Sequence, residues 1–145
     1  MAKHHELHPS PDTVHWAFFD AALTPLIEIE SGDTVTLHTV SGGRDILPTD
    51  DALEILPAHL DIHENVEPGG AGHIMTGPVA VRGAEPGDML EIRIKDVKLG
   101  TNWGWNRIRP LSGALPEDFP DMRLLHIPLD KDKMVANLPW GVDLP

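Results

Sequence analysis

The stretch IEIESGDTVTL, residues 27–37, contains the pattern that decides the fold class. Its last residues begin the run TVTLHTV (34–40), in which apolar and polar side chains alternate. Val35 and Leu37 share one face of that run, whereas two threonines and His38 share the other. Successive side chains of a strand point to opposite faces of a sheet. The run therefore predicts a half-buried strand, with one face on a core and one face in water.

A second stretch, VRGAEPGDMLEI (81–92), repeats the same arrangement of turn and strand. Both stretches place a glutamate two residues before Gly-Asp and continue into a β-type run, here MLEIRIKDV (89–97). Pro86 and Gly87 suit a type II turn, because proline fixes φ at the first centre and glycine accepts positive φ at the second. The shared pattern is common turn chemistry and does not indicate a duplication.

The rest of the chain consists of short apolar runs between glycines and prolines, which number 13 and 14. This punctuation is typical of a many-stranded all-β domain. The further predicted strands are TVHWAFF (13–19), LIEI (26–29), GPVAVRG (77–83), RLLHIPL (123–129) and KMVANLP (133–139). We predict a mainly β domain spanning 1–145, built as a sandwich or as a barrel-like sheet.

Two segments depart from the β pattern. DDALEILPAHLDIHENV (50–66) predicts short helical pieces, with Asp50 or Asp51 as N-cap and a break at Pro57. Residues 98–122 predict a long loop, because glycines and prolines interrupt them. A loop of that length is uncommon in a compact domain unless it is functional or packed by its own side chains.

Charge and composition exclude several classes of partner. The formal net charge of −12 argues against nucleic acid and against an anionic membrane surface. No run reaches the roughly 20 apolar residues that a membrane span requires. The N-terminus lacks the apolar run of a signal peptide. The chain has no cysteine, which fits a reducing compartment, and a cytoplasmic location is expected.

DIHENVEPGGAGH (61–73) offers a carboxylate and two imidazoles around a glycine-rich bend. Asp61 and His63 lie on one face if the chain is extended there, and the bend is able to bring His73 back towards them. These groups form a workable ligand set for zinc. Ordinary loop histidines making hydrogen bonds are the alternative, since the spacing matches no strong zinc motif.

Two further clusters contain candidate site residues. In HHELHPSPDTVHW (4–16), His15 is predicted to face away from Val14, Trp16 and Phe18, and His4 and His5 are expected to belong to a polar N-terminal arm. In NWGWNRIRP (102–110), Trp103 and Asn106 are candidates to line a small-molecule pocket. The alternative for the tryptophans is a hydrophobic anchor for the loop. No phosphate loop, nucleophile elbow or dinucleotide fingerprint is present.

Several segments of the sequence resemble the acetamidase/formamidase family. They are HPSPDTVHWAFFDAAL (8–23), IESGDTVTLHTVSGG (29–43), HIMTGPVAVRGAEPGDMLEIRIKDV (73–97), NWGWNRIRPLSGALPEDFP (102–120) and HIPLDKDKMVANLPWGVDLP (126–145). The most specific is TGPVAVRGAEPGD (76–88). The resemblance implies a mainly β hydrolase that cleaves short linear amides such as formamide or acetamide to a carboxylate and ammonia. It also implies a divalent metal, with zinc expected first and calcium as the alternative.

The resemblance to the family supports the individual site residues to different degrees. His73 is the best supported metal ligand because it begins the most specific segment, and Asp61 and His63 match less distinctive positions. Trp103 and Asn106 fall in the matching WGWN segment and are expected to line the substrate pocket. No residue is identified as the general base.

The resemblance covers only the first part of the family pattern. Family members continue for about as many residues again, through an HGGN-like segment and an acidic, glycine-rich segment that this sequence lacks. We therefore expect the N-terminal half of an amidase, which needs a second chain or the missing C-terminal half. Apolar surface near Leu138, Trp140 and Val142 is expected to be exposed or paired with another copy, so a homo-oligomer is also expected. The alternatives are a non-catalytic β domain that binds a metal or ligand, and an inactive truncated product.

Overall fold

The structure is a computed structural model that describes residues 2–16, 18–69 and 73–145. The described strands are β1 (His4–Leu7), β2 (Val14–Trp16), β3 (Ile27–Ile29), β4 (Thr34–Leu37), β5 (Ile74–Thr76), β6 (Val79–Val81), β7 (Trp103–Ile108), β8 (Arg123–Asp130), β9 (Val135–Leu138) and β10 (Val142–Leu144). The described helices are α1 (Pro57–Asn65) and a 3₁₀ turn (Arg44–Ile46). The predicted mainly β class is confirmed, and the described strands form several small sheets rather than a closed barrel. Within the described ranges, no helix is long and apolar enough to cross a membrane.

The first compact unit comprises residues 1–45 and 56–100. Its described strands form three pairs: β1 and β4 are parallel, β2 and β5 are antiparallel, and β3 and β6 are parallel. Its buried core consists of Trp16, Val40, Ile62 and Ile74. These residues come from β2, the segment after β4, α1 and β5. The core therefore joins the helix to the central strand pair.

The second compact unit comprises residues 46–55 and 101–145. Its four strands form an antiparallel sheet in the order β10-β9-β8-β7. The indole Nε1 of Trp103 donates a 2.7 Å hydrogen bond to the carbonyl of Glu54. The side chain of Asn102 accepts from the amide of Glu54 and donates to the carbonyl of Ala52. These contacts fasten the 46–55 segment to the start of β7.

The two predicted turns are confirmed and share the same chemistry. The amide of Asp33 donates to the carbonyl of Glu30, and Gly32 has φ of 91°. The amide of Asp88 donates to the carbonyl of Glu85, and Gly87 has φ of 103°. In each turn the aspartate Oδ2 accepts a hydrogen bond from the glutamate amide, at 3.1 Å and 2.9 Å. Positive φ explains the glycine in each turn.

Asp33 does more than close its turn, because it also holds β1 against β4. Its Oδ1 accepts from the amide of Lys3 at 2.7 Å, and its Oδ2 lies 2.9 Å from Nε2 of His5. The hydrogen bond from Lys3, followed by those from His5 and Glu30, lowers the pKa of the Asp33 carboxyl to about 2. Only 3% of its side chain is exposed.

The predicted strand at 89–97 is wrong as secondary structure, since these residues form no strand and pair with none of the described strands. Its apolar residues are largely exposed: Leu90 by 58%, Ile92 by 78% and Ile94 by 81%. Alternation predicts which side chains share a face, but a strand also needs a neighbour for its backbone groups. That neighbour is missing from the part of the chain that the structure describes.

Two other segment predictions are corrected. The predicted loop at 98–122 contains β7, whose six residues pair with β8 from Trp103 opposite Pro128 to Ile108 opposite Arg123. The predicted break at Pro57 is instead the beginning of the helix, and residues 50–56 are not helical. Proline suits the first position of a helix because its missing amide hydrogen has no intrahelical acceptor there.

Leu37 departs from the predicted burial of β4, since it is 48% exposed. The polar face of the same strand behaves as predicted. His38, just after the strand, lies 2.7 Å from Glu6, and Thr36 lies 3.3 Å from His4. The polar contacts across the β1–β4 pair therefore follow the alternation that the sequence shows.

Asp33→Asn should lower the melting temperature by several degrees at pH 7, and Asp88→Asn should lower it much less. Both aspartates close a turn, but Asp33 also accepts a hydrogen bond from the amide of Lys3 and contacts His5 on β1. Because the folded pKa of Asp33 is depressed to about 2, its contribution is present above the unfolded pKa of about 4 and is lost as pH falls towards 2. Thermal unfolding at pH 7, 4 and 2.5 measures this. Equal effects of the two variants at pH 7 would contradict the role of Asp33.

Candidate active site

A cavity of about 640 Å³ opens in the first unit. Most of its lining is apolar, and the polar side chains among the lining residues are those of His15, Asp20, Thr39 and Thr76. A largely apolar cavity with a few convergent polar groups is typical of small-molecule sites. We therefore take this cavity as the candidate active site.

The strand β2 determines where His15 points. Trp16 is buried in the core and Val14 packs against that core, so the alternation of the strand turns His15 to the other face. This confirms the predicted orientation of His15 relative to Val14 and Trp16, whereas the prediction that it also faces away from Phe18 is wrong. Its Nδ1 is buried and has no hydrogen-bond partner in the described residues. Its ring lies edge-on to Phe18, with ring centroids 5.5 Å apart.

Thr39 and Thr76 bring hydroxyl groups to the same cavity. The Thr76 hydroxyl donates to the carbonyl of His38 at 3.0 Å, which ties the end of β5 to the segment after β4. Asp20 accepts a hydrogen bond from the amide of Ala22 at 2.8 Å. An imidazole, two hydroxyls and a carboxylate supply hydrogen-bond donors and acceptors for a small polar ligand.

The helix α1 carries a pair of histidines that face the core. His59 and His63 stack with ring centroids 4.8 Å apart, and His63 also contacts Trp16 at 5.5 Å. The Nε2 atom of each ring is buried without a hydrogen-bond partner in the described residues. Burial is the main reason that the pKa values of both imidazoles are lowered. Folding therefore favours their neutral forms.

For each of these two imidazoles, one neighbouring group lowers the pKa further and another raises it. The proximity of His63 lowers the pKa of His59 further, and a hydrogen bond with the backbone of Gly42 raises it. For His63, the charge of Arg44 lowers the pKa and that of Asp45 raises it. The HLDIH spacing places His59 and His63 one helical turn apart, a signal that the sequence analysis missed.

The predicted metal ligands Asp61, His63 and His73 do not form a convergent group. Asp61 and His63 lie in α1, where a separation of two residues turns side chains by about 200°, so the assumption of an extended chain is wrong. Asp61 is exposed and accepts a hydrogen bond from the side chain of Asn65. His73 is exposed before β5, and part of the bend that leads to it lies outside the described residues. Metal binding by these three residues stays a prediction.

Trp103 and Asn106 belong to the second unit, and they are not among the lining residues of the cavity, which belong to the first unit. Trp103 is buried, and its indole nitrogen is bonded to Glu54. Asn106 is exposed on β7, opposite Leu125 of β8. The contacts of Trp103 match the alternative of a packed anchor. A role for either residue in substrate binding stays a prediction.

The chain belongs to the acetamidase/formamidase family, whose sequence model matches residues 4–132. Over 97 residues, 63% of this chain, it is 33% identical to a Schizosaccharomyces pombe protein that carries the provisional name formamidase. Its structure is similar to the crystal structure of an acetamidase from Bacillus halodurans, with a TM-score of 0.69 and 28% identity over 97% of this chain. The matched region spans 22% of the yeast protein and 42% of the bacterial one.

His59→Leu should flatten the loss of stability that acid causes. The folded pKa of His59 lies below its unfolded value of about 6.5, so its neutral form supports folding above that pH, and this support is lost as pH falls through the folded pKa. One such group changes the free energy of unfolding by up to about 1.4 kcal/mol per pH unit. Urea unfolding between pH 7.5 and pH 5 measures the slope. His4→Leu, at an exposed position, is the control, and an unchanged slope in His59→Leu would refute the burial effect.

Proposed function

We propose that this chain provides the amide-binding part of a hydrolase that converts short linear amides, of the formamide and acetamide type, to a carboxylate and ammonia. The observation that carries the proposal is the family match over residues 4–132. The name of the B. halodurans relative, an acetamidase, agrees with this substrate class. The cavity beside His15 is the site at which we place the amide.

The side chains of the cavity suit the two ends of an amide group. The amide carbonyl accepts hydrogen bonds, which the hydroxyl of Thr39 is able to donate, whereas the Thr76 hydroxyl already donates to the His38 carbonyl and offers its lone pairs as acceptors for the amide nitrogen. The amide nitrogen donates hydrogen bonds, for which Asp20 offers a carboxylate. The apolar lining suits the small alkyl group of acetamide. Each half of the substrate therefore has a matching surface.

We assign proton transfer to His15. In hydrolysis, a water oxygen attacks the carbonyl carbon, the C–N bond breaks, and ammonia leaves with a proton that the water has lost. An imidazole is the side chain that most often carries such a proton. His15 lines the cavity, which places its ring beside a bound amide.

A divalent ion, zinc first and calcium second, remains part of the proposal for the complete site. Zinc in such a site lowers the pKa of a bound water. The described geometry separates Asp61, His63 and His73, so we route no step through an ion held by these three residues. The neutral imidazole of His63, with its unpartnered Nε2, is the member of the set that best fits a metal ligand.

We further propose that catalysis needs a second chain, which corresponds to the part of the B. halodurans acetamidase that this chain does not cover. Support comes from the segment 89–97, whose apolar residues are exposed. On its charged side, Glu91 is bonded to Arg93 at 2.6 Å, and Lys95 donates to Thr34 at 2.6 Å. The charged side is thus partly engaged by its own chain, whereas Leu90, Ile92 and Ile94 have large exposed surfaces. An added β-strand would cover those surfaces.

Exposed apolar residues also lie near the end of the second unit. Trp140 is 65% exposed, Val142 is 43% exposed and Leu144 is 49% exposed. Trp140 and Val142 are exposed as the sequence predicted, whereas Leu138 is only partly exposed. A second copy of this chain is the alternative occupant for such surface, and it would produce the homo-oligomer expected from the sequence.

The first test is release of ammonia from formamide and acetamide. We expect turnover when the chain is combined with a polypeptide that carries the remaining part of the family pattern, and little turnover from the chain alone. In that mixture, His15→Ala should lower kcat by about 10²–10⁴-fold, the usual range for a general acid–base group. His4→Ala is the control and should retain the activity.

Four results would count against this proposal or parts of it. Full turnover by the chain alone would refute the need for a second chain. Unchanged kcat in His15→Ala would refute proton transfer by His15. Activity that survives complete removal of divalent ions by a chelator would refute the requirement for a metal ion. An inactive mixture in which both chains are folded and associated would refute the amidase activity itself.

Ile92→Asp should weaken association with the complementary polypeptide by about tenfold or more, because it places a charge in apolar surface that is buried on binding. Glu91→Gln, on the charged side, should change association little. Light scattering during size-exclusion chromatography and titration calorimetry measure the effect. Formation of dimers by the chain alone, lost in Ile92→Asp, would favour a second copy as the occupant. Equal association in both variants would contradict strand addition at 89–97.

A further inference from the structure

The parallel pairing of β1 with β4 gathers three ligand-type side chains at one end of the pair. Glu6 lies opposite Thr36 and Leu7 opposite Leu37, and the amide of His38 donates to the carbonyl of Leu7 at 2.9 Å. The two chains therefore remain paired up to His38. Glu6 and His8 are two residues apart, as strand alternation requires for side chains on the same face.

The ligand atoms of Glu6, His8 and His38 converge. Glu6 Oε1 lies 2.7 Å from Nε2 of His38 and 3.4 Å from Nε2 of His8. All three ligand atoms lie within 4.8 Å of one another, which occurs for no other such group of three or more in the described residues. Zinc bonds of about 2.0–2.2 Å in a tetrahedron set ligand atoms about 3.3–3.6 Å apart. The Glu6–His38 distance is shorter than that separation and the Glu6–His8 distance lies within it, so small side-chain rotations suffice.

The two imidazoles are arranged to act together. Their rings stack with centroids 4.1 Å apart and an angle of 12° between the planes. Both Nε2 atoms are within 3.4 Å of the same carboxylate oxygen. Two histidines and one glutamate are a known zinc ligand set, and they leave a fourth position open for water.

The surroundings allow an ion to enter. The side chains of His8, Glu6 and His38 are 65%, 51% and 44% exposed. The formal net charge of −12 also favours the approach of a cation. None of the three residues lines the cavity beside His15. The cluster is thus separate from the proposed amide site and from the ligand set predicted at 61–73.

We propose that Glu6, His8 and His38 bind a divalent transition-metal ion of the zinc type, through Glu6 Oε1 and the two Nε2 atoms, with water in the fourth position. On binding, both imidazoles are neutral and present the Nε2 lone pair, so each carries its proton on Nδ1. Glu6 remains a carboxylate. The proposal does not depend on amide hydrolysis.

Titration of the full chain with Zn²⁺ by calorimetry, checked by equilibrium dialysis, tests this proposal. The wild-type chain should bind one ion at this site with micromolar affinity or better, and Glu6→Gln, His8→Ala and His38→Ala should each weaken binding by about tenfold or more. His4→Ala, on the same strand but outside the group, should bind as the wild type does. Co²⁺ in the same site should give the visible absorption of a four-coordinate ion, which the three variants should lose.

Two results would refute the proposed metal site. One is a wild-type chain that binds no Zn²⁺ at micromolar concentration. The other is binding that is unchanged in the three variants, which would place the ion on other histidines. Circular dichroism checks that each variant is folded. Glu6→Gln preserves the shape of the side chain, so it decides the question if an alanine variant fails to fold.

Discussion

The carboxylate of Asp33 is the interaction on which the first unit most depends. It closes the turn before β4, accepts the amide of Lys3, and contacts His5 on β1. These contacts join two strands that are far apart in sequence and run parallel. A two-stranded parallel pair has few hydrogen bonds of its own, so an added buried anchor matters to it. The depressed pKa of Asp33 records how strongly the folded chain favours the anionic form.

The position of β4 in turn determines where the side chains that are able to bind a metal ion or a small molecule lie. His38 follows β4 and meets Glu6 and His8, and the hydroxyl of Thr76 is bonded to the His38 carbonyl. Thr39, the next residue, lines the cavity with His15. One strand end thus borders both the cavity proposed for the amide and the proposed metal site. Each site uses side chains that the alternation of short strands presents, rather than a single linear motif.

Local chemistry made part of this structure predictable from sequence. The two glycine turns, the mainly β class and the orientation of His15 follow from φ preferences and from alternation, which act over a few residues. Segment 89–97 shows the limit of that reasoning, because its alternation is clear but the neighbour that a strand needs is not described. Asp61 and His63 show another limit. Because a helix begins at Pro57, the side chains of Asp61 and His63 point to different sides of it. The side chain that stacks on His63 is that of His59, one helical turn earlier.

Long-range pairing decided the remaining features of the site. The meeting of Glu6, His8 and His38 depends on β1 pairing in parallel with β4, which no local pattern specifies. The proposed substrate class rests on family membership, and the cavity beside His15 is the place that we propose for the amide. The most direct test is a titration of isotopically labelled chain with acetamide, followed by nuclear magnetic resonance. We expect shifts in the signals of His15, Thr39 and Thr76 and none at Trp103. Shifts confined to other residues, or no shifts at millimolar amide, would contradict the assignment of the cavity.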